Sequence, residues 1–307
     1  MKRLRIVLAH PHGFCAGVAR ALATMRQALR EHPHPIYCYH ELVHNRLVVD
    51  ELAGQGVRFV ETVDAVPEGS TLLFSAHGVA PAVERQARMK NLRVLDATCP
   101  FVARAHTKVR ELAGKGYGIV LVGHRHHEEV EGVAAAAPGK VFVVENAEEA
   151  ASVQVPDPRR VGVVTQTTLS VAFVNDMIDR LRQRFPDLQA PRHGDICYAT
   201  QNRQRAARAL ARTADCILVL GSSNSSNSRR LVEISRAEGC PARLLENRAD
   251  LAEVDLSDVA ALGITSGAST PESFLNEILA DLKHRGFEQI EGLVVAQEDP
   301  AFNANGA

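Results

Sequence analysis

Three cysteines occupy equivalent places in a repeating pattern: Cys15 in GFCAGV, Cys99 in ATCPFV and Cys197 in DICYAT. They lie 84 and 98 residues apart, each close to a third of the 307-residue chain. A polar residue follows each at nearly constant distance: His44 at +29, His127 at +28 and Ser225 at +28. A second set comes later, with His77 at +62 in SAHGVAP, Thr167 at +68 in TQTTLSV and Ser269 at +72 in TSGASTP. Such a register predicts three related lobes facing one centre, each supplying one thiolate and two groups able to bind an anion. Three thiolates with no fourth in register describe a metal centre with an open coordination position.

Each of these cysteines falls where a strand pattern gives way to a helix pattern, and a helix N-terminus stabilises the thiolate, the form that binds metal. Structural zinc takes four ligands, commonly in CxxC pairs, and no CxxC occurs in the chain. Three thiolates from three separate segments suit an iron–sulfur cube better, although a three-sulfur zinc site stays open on the residues alone. Cys38 in IYCYH, Cys216 in CILVLG and Cys240 beside Pro241 lie outside the register and read as small buried hydrophobes.

The polar sets fall at the ends of strand patterns, where open α/β sheets bind ligands. His44, His77, His127, Ser225, Ser226, Asn227 and Ser269 offer donors, and the loops before helices add backbone N–H groups. Together they suit a phosphate or diphosphate. Glu129, two residues after His127 in GHRHHEEVEG, is the acid candidate, and the Thr167 hydroxyl is placed to relay a proton. Glu128 and Glu131 read as a solvated helical first turn favoured by the dipole. His106 and the other histidines outside the register read as surface or local contacts.

The elements that must position these groups alternate along the chain. Apolar runs at Ile6–Ala9, Leu72–Phe74, Ile119–Gly123, Val141–Val144, Val161–Val164, Ile217–Gly221 and Leu262–Thr265 are continuous, as expected for strands covered on both faces. Helical stripes lie between them: Val18, Leu22, Met25 and Leu29 in one, Val102, Ala105, Val109 and Leu112 in another. Alternation of this kind implies βαβ units and mainly parallel sheets. The repeats divide the chain into lobes at 1–97, 98–195 and 196–307, the last ending in a small polar tail.

Composition is that of a soluble globular protein, 46% hydrophobic and 23% charged. A formal net charge of -1 leaves no basic excess for nucleic acid. No apolar run approaches the roughly 20 residues of a membrane helix, and the short apolar run after MKRLR reads as a strand rather than a signal sequence. A cytoplasmic protein is expected, and six cysteines in such a chain point to metal or redox use rather than disulfides.

The segments GFCAGV, HELVHNRLVVDEL, FSAHGVAP, DATCPFV, GHRHHEEVEG, TQTTLS, DICYATQNRQ, GSSNSSNS and TSGAST, taken in order, resemble the 4-hydroxy-3-methylbut-2-enyl diphosphate reductase (LytB) family from residue 13 to about 270. The resemblance implies three α/β lobes in a pseudo-three-fold trefoil around a central 4Fe–4S cluster. Cys15, Cys99 and Cys197 would hold that cluster and leave one iron open. It also implies a two-electron reductive dehydroxylation that ends the non-mevalonate isoprenoid pathway and gives isopentenyl and dimethylallyl diphosphate. His44, His77, His127, Thr167, Ser225, Ser226, Asn227 and Ser269 would bind the substrate, with Glu129 as proton donor and Thr167 at the substrate hydroxyl. The family usually reads His-Pro-Glu where this chain has His127-Glu128-Glu129. The following Val130-Glu131-Gly132 keeps the register and places the donor at Glu129. A ferredoxin- or flavodoxin-type electron carrier is implied, because neither nucleotide-binding glycine pattern is present. A non-redox iron–sulfur dehydratase and a metal-containing protein that binds phosphorylated ligands are the alternatives.

Overall fold

The computed structural model describes residues 4–298. In chain order the elements begin β1 (Arg5–His10), α1 (Ala16–Glu31), β2 (Ile36–Tyr39), α2 (Arg46–Gly54), β3 (Val57–Val60), β4 (Thr71–Phe74), α3 (Pro81–Met89) and β5 (Arg93–Asp96). They continue with α4 (Pro100–Gly114), β6 (Gly118–Val122), α5 (Glu128–Ala134), β7 (Val141–Val144), α6 (Ala147–Ser152), β8 (Val161–Thr165), α7 (Val171–Arg184) and β9 (Arg192–Asp195). The rest is α8 (Tyr198–Ala211), β10 (Cys216–Leu220), α9 (Ser226–Ala237), β11 (Ala242–Leu245), β12 (Ala261–Ser266), α10 (Glu272–His284) and β13 (Gln289–Val294).

The strands form three sheets, ordered β11-β10-β12-β1-β13, β3-β2-β4-β5 and β7-β6-β8, and every pairing in them is parallel. Strands β4, β8, β10 and β12 are buried along their whole length. Helices on both faces of a parallel sheet require this, and it is why these segments read as unbroken apolar runs. Met25 on α1 and Val109 on α4 are fully buried, so the predicted helical stripes do face the cores.

The chain divides into two compact units. One comprises residues 4–19, 44–51 and 198–298 and contains the five-stranded sheet; the other comprises 20–43 and 52–197 and contains the other two. The first core is built on Ile6, Leu218, Leu262 and Phe274 on one face of its sheet and Val7, Ala207, Ile217 and Leu231 on the other. In the second unit, Val120, Val163 and Met177 lead one cluster, Val109, Ile119 and Leu121 another, and Leu72 and Phe74 a third.

The three sheets repeat one local construction. β1, β5 and β9 each run into a register cysteine, and each lies beside a strand, β12, β4 or β8, whose following loop carries Ser269, His77 or Thr167. The amide of Cys15 donates to Ala268 O at 2.9 Å, that of Cys99 to Ala76 O at 2.9 Å and that of Cys197 to Thr167 O at 3.3 Å. Two residues earlier, Gly13 N donates to Ser266 Oγ and Asp195 N to Thr165 Oγ1, both at 2.7 Å. Ala97 N donates to Phe74 O at 3.1 Å in the equivalent place. The repeat in the sequence is therefore a repeat of backbone geometry. β5, ahead of Cys99, pairs into the sheet of the first third, β9, ahead of Cys197, lies beside β8 of the second, and β1, ahead of Cys15, pairs into the sheet of the last. The polar tail beyond residue 298 lies outside the described residues.

Candidate functional site

In each sheet two neighbouring strands deliver the anion-binding candidates from their carboxyl ends. His44 follows β2 and His77 follows β4; His127 follows β6 and Thr167 follows β8; Ser225 follows β10 and Ser269 follows β12. This is where parallel strands leave backbone N–H groups and helix N-termini pointing outward for a ligand.

In the unit built on the five-stranded sheet, Ser225 is the N-cap of α9, and its side chain accepts from Ser228 N at 3.3 Å. A Ser cap of this kind satisfies one of the orphan donors of the helix. Ser222 Oγ accepts from Arg46 N at 3.0 Å, and Ser269 Oγ donates to His44 O at 2.9 Å, which joins the loops after β10 and β12 to the segment at His44. Ser226 and Asn227 are buried, and both the amide nitrogen and the amide oxygen of Asn227 lack a hydrogen-bond partner. Ser228 Oγ and Thr265 Oγ1 lack one too. Each buried polar group left in this state costs about 1–3 kcal/mol, and a polar ligand would recover that cost. Glycine is required on both sides of Ser228: a Cβ at Gly221 or Gly267 would lie 2.2 or 2.1 Å from its Oγ.

The second unit holds the acid. Glu129 is 2% exposed in the first turn of α5. Its Oε1 accepts from Thr167 N at 2.7 Å and its Oε2 from Thr167 Oγ1 at 2.9 Å. The acid candidate and the Thr167 hydroxyl thus meet in a two-point contact between neighbouring strand-end loops. His127 caps the same helix, its Nδ1 accepting from Glu129 N at 3.2 Å. An Nδ1 that accepts leaves the ring proton on Nε2, so His127 presents a donor, as an anion requires. The His77 and His127 rings stand nearly perpendicular with centroids 6.0 Å apart. Gly78 takes φ +74, and a Cβ there would meet His106 Nε2 at 3.0 Å, so the turn that presents His77 needs glycine.

The three register cysteines are each partly exposed, and none is in a disulfide. Cys99 is the N-cap of α4, with Pro100 in its first turn, and Cys15 and Cys197 directly precede α1 and α8. Cys38, Cys216 and Cys240 are buried, and burial pushes all three thiols up, away from the thiolate a metal would need. The donor chemistry therefore fits a metal at the register cysteines and not at the other three.

Two expectations need correction. Glu128 is not a solvated turn residue: only 22% of its side chain is exposed, and its Oε2 lies 2.9 Å from His77 Nδ1. The helix start points it back toward the loop after β4, a tertiary contact that local charge patterning does not reveal. His106 is not a surface contact. It is 7% exposed, its Nε2 is unpartnered, and burial lowers its pKa to about 4, with Arg110 adding to the effect and Asp96 opposing it. Arg203, fully buried, escaped notice as well. It donates to Gly13 O at 2.8 Å and Ala199 O at 3.2 Å, pairs with Glu298 at 3.0 Å, and so fixes the backbone ahead of Cys15. Lys108 and Asp195, 2.9 Å apart, do the same ahead of Cys197. In sequence both cations look like ordinary helix-surface charges.

Comparison with known proteins adds independent support. The family described as "LytB protein" matches residues 6–283. A 4-hydroxy-3-methylbut-2-enyl diphosphate reductase of Mycolicibacterium gilvum is 47% identical over 299 residues, covering 97% of this chain and 90% of its own. One from Actinobacillus succinogenes is 44% identical over 302 residues, covering 97% and 96%. Among solved structures, the E-1-hydroxy-2-methyl-but-2-enyl-4-diphosphate reductase of Plasmodium falciparum superposes with a TM-score of 0.93 at 36% identity, covering 97% of this chain and 94% of that one. A second reductase structure, described as the terminal enzyme of the non-mevalonate pathway, gives 0.66 at 31% identity, covering 92% and 99%.

Proposed function

Because the chain belongs to the LytB family, we propose that it converts 4-hydroxy-3-methylbut-2-enyl diphosphate to isopentenyl and dimethylallyl diphosphate by reductive dehydroxylation. The observation that carries this reading is the thrice-built cysteine loop, each cysteine amide tied to the loop of an anion-binding candidate. The overall reaction takes up two electrons and two protons, breaks a C–O bond, forms a C–H bond and releases water. Cys15, Cys99 and Cys197 would hold one 4Fe–4S cluster, and a cluster held by only three cysteines would supply single electrons and a Lewis-acid position for the substrate hydroxyl.

The chain's own residues do the rest. His44, His77, His127, Ser225, Ser226, Asn227 and Ser269 bind the diphosphate, and the unpaired Asn227 amide supplies both a donor and an acceptor to the bound substrate and its shell. Fixing the diphosphate fixes the reacting carbon, which is where positioning lowers the barrier. Thr167 places its hydroxyl at the substrate hydroxyl. Glu129, 2.9 Å behind that hydroxyl, supplies the proton that lets water leave. A ferredoxin- or flavodoxin-type protein delivers the electrons, and the enzyme works in the cytoplasm as three lobes divided near residues 97 and 195. Among the described residues no helix is long and apolar enough to cross a membrane.

The test is iron, acid-labile sulfide and zinc content of anaerobically purified protein, followed by turnover with and without a reductant. About four irons and four sulfides per chain, with reductant-dependent turnover, is the expected result. Turnover without electrons would identify a dehydratase instead, and zinc without sulfide would remove the redox mechanism.

A further inference from the structure

We propose that Glu128 is a positioning residue that holds His77 for the diphosphate, an inference that rests on the function proposed above. Its two carboxylate oxygens are directed to different groups. Oε2 lies 2.9 Å from His77 Nδ1, and Oε1 lies 3.8 Å from His40 Nδ1. His40 is in turn 2.9 Å from Glu61, at the exposed end of the row. The backbone of Glu128 is fixed as the first residue of α5, directly after the His127 cap. The residue is thus anchored at its backbone and through Oε2, and the His77 side chain that Oε2 meets is deeply seated, 14% exposed.

The chemistry follows from the ring. An imidazole whose Nδ1 donates to a carboxylate has a fixed plane, and its Nε2 points the opposite way. That Nε2 is thereby aimed at a phosphate oxygen, to which it donates when the ring carries both protons. Glu128 also adds a negative charge near an anionic ligand, which opposes binding. The hydrogen bond wins, because at 2.9 Å the carboxylate is in direct contact with the ring, whereas the anion lies on the far side of that ring and sees a compensated pair. Glu131 provides the internal comparison, since it carries the same charge in the same helical turn and is exposed.

The experiment measures inorganic pyrophosphate binding to the cluster-loaded protein by calorimetry, for the wild type, Glu128→Gln and Glu131→Gln. The KM for the hydroxylated diphosphate and the ¹⁵N resonances of the His77 ring in the pyrophosphate complex are recorded alongside. Glu128→Gln is expected to raise the pyrophosphate Kd and the KM by the same factor, about tenfold, the size of one charge-assisted hydrogen bond. It should also shift the His77 Nδ1 resonance, while Glu131→Gln leaves all three readouts in place. Unchanged or tighter pyrophosphate binding in Glu128→Gln, or equal weakening in both variants, overturns the role of Glu128 and leaves the diphosphate site standing. A wild-type protein that does not bind pyrophosphate overturns the diphosphate site, and this inference with it.

Discussion

Replacing Glu129 by Gln separates catalysis from architecture, because the structure says what each would lose. The carboxylate takes two hydrogen bonds from Thr167, one from its amide at 2.7 Å and one from its hydroxyl at 2.9 Å. A Gln side chain of the same length keeps the first through its carbonyl oxygen. It meets the second with an NH2 group, which Thr167 Oγ1 accepts once its own proton turns away. Two charge-assisted bonds become neutral ones, a loss of about 2 kcal/mol in stability, or several degrees in Tm. The proton is another matter: Gln has none to give, and the reversed Thr167 hydroxyl no longer connects substrate to acid. Removing a general acid lowers turnover about 10²–10⁴-fold, or about 3–5 kcal/mol of transition-state stabilisation.

The assay is anaerobic turnover with a chemical reductant, on protein whose iron and sulfide are measured in the same preparation. The expected outcome is full cluster content, a Tm lowered by several degrees, pyrophosphate affinity within a few-fold of wild type, and equal losses in kcat and kcat/KM, the pattern of an interaction made only in the transition state. Activity within about tenfold of wild type would refute the assignment of Glu129 as donor. Loss of the cluster along with activity would refute the separation of roles, since it would make the Glu129–Thr167 contact a structural support for Cys197, whose amide donates to Thr167 O.

Three other variants test different parts of the structure. Cys38→Ser places a hydroxyl in a fully buried position, so it should destabilise the protein by about 1–3 kcal/mol yet leave iron content unchanged; iron loss would overturn the sorting of the cysteines. Asn227→Leu removes an amide with no partner at either end, so thermal denaturation should show a Tm equal to or above wild type while calorimetry shows weaker pyrophosphate binding; a lower Tm with unchanged affinity would contradict the ligand role. His106 is held neutral with a pKa near 4, below its unfolded value near 6.5, so its contribution to stability is present above pH 6.5 and is lost as pH falls toward 4. Between pH 7 and pH 5 this amounts to about 2 kcal/mol, and urea denaturation of His106→Leu should lack that part of the slope; an identical slope in both proteins would mean the imidazole is not buried in solution.

What could be read from the sequence, and what could not, follows from how far each signal reaches. Strands β4, β8, β10 and β12 are covered on both faces, so they must be apolar throughout, and they stand out as runs. β5 and β13 lie at sheet edges, carry exposed and charged residues, and leave no run to find. The cysteine register was legible because three copies of one loop must conserve the spacing from strand end to helix start, the spacing that lets Gly13, Ala97 and Asp195 each donate to the end of the neighbouring strand. Membership of β1 in the last sheet was not legible, since its pairing with β12 joins residues some 256 positions apart and any parallel neighbour would satisfy the same apolar pattern. Glu128 and Arg203 were hidden for a related reason. Each looks like a helix-surface charge along the sequence, and each is assigned its task by a partner, His77 or the Gly13 carbonyl, that only the folded loops bring within reach. The same chemistry that makes charge patterns easy to read on a helix makes them poor guides at strand-end loops, where a charge that turns inward is retained only because something there holds it.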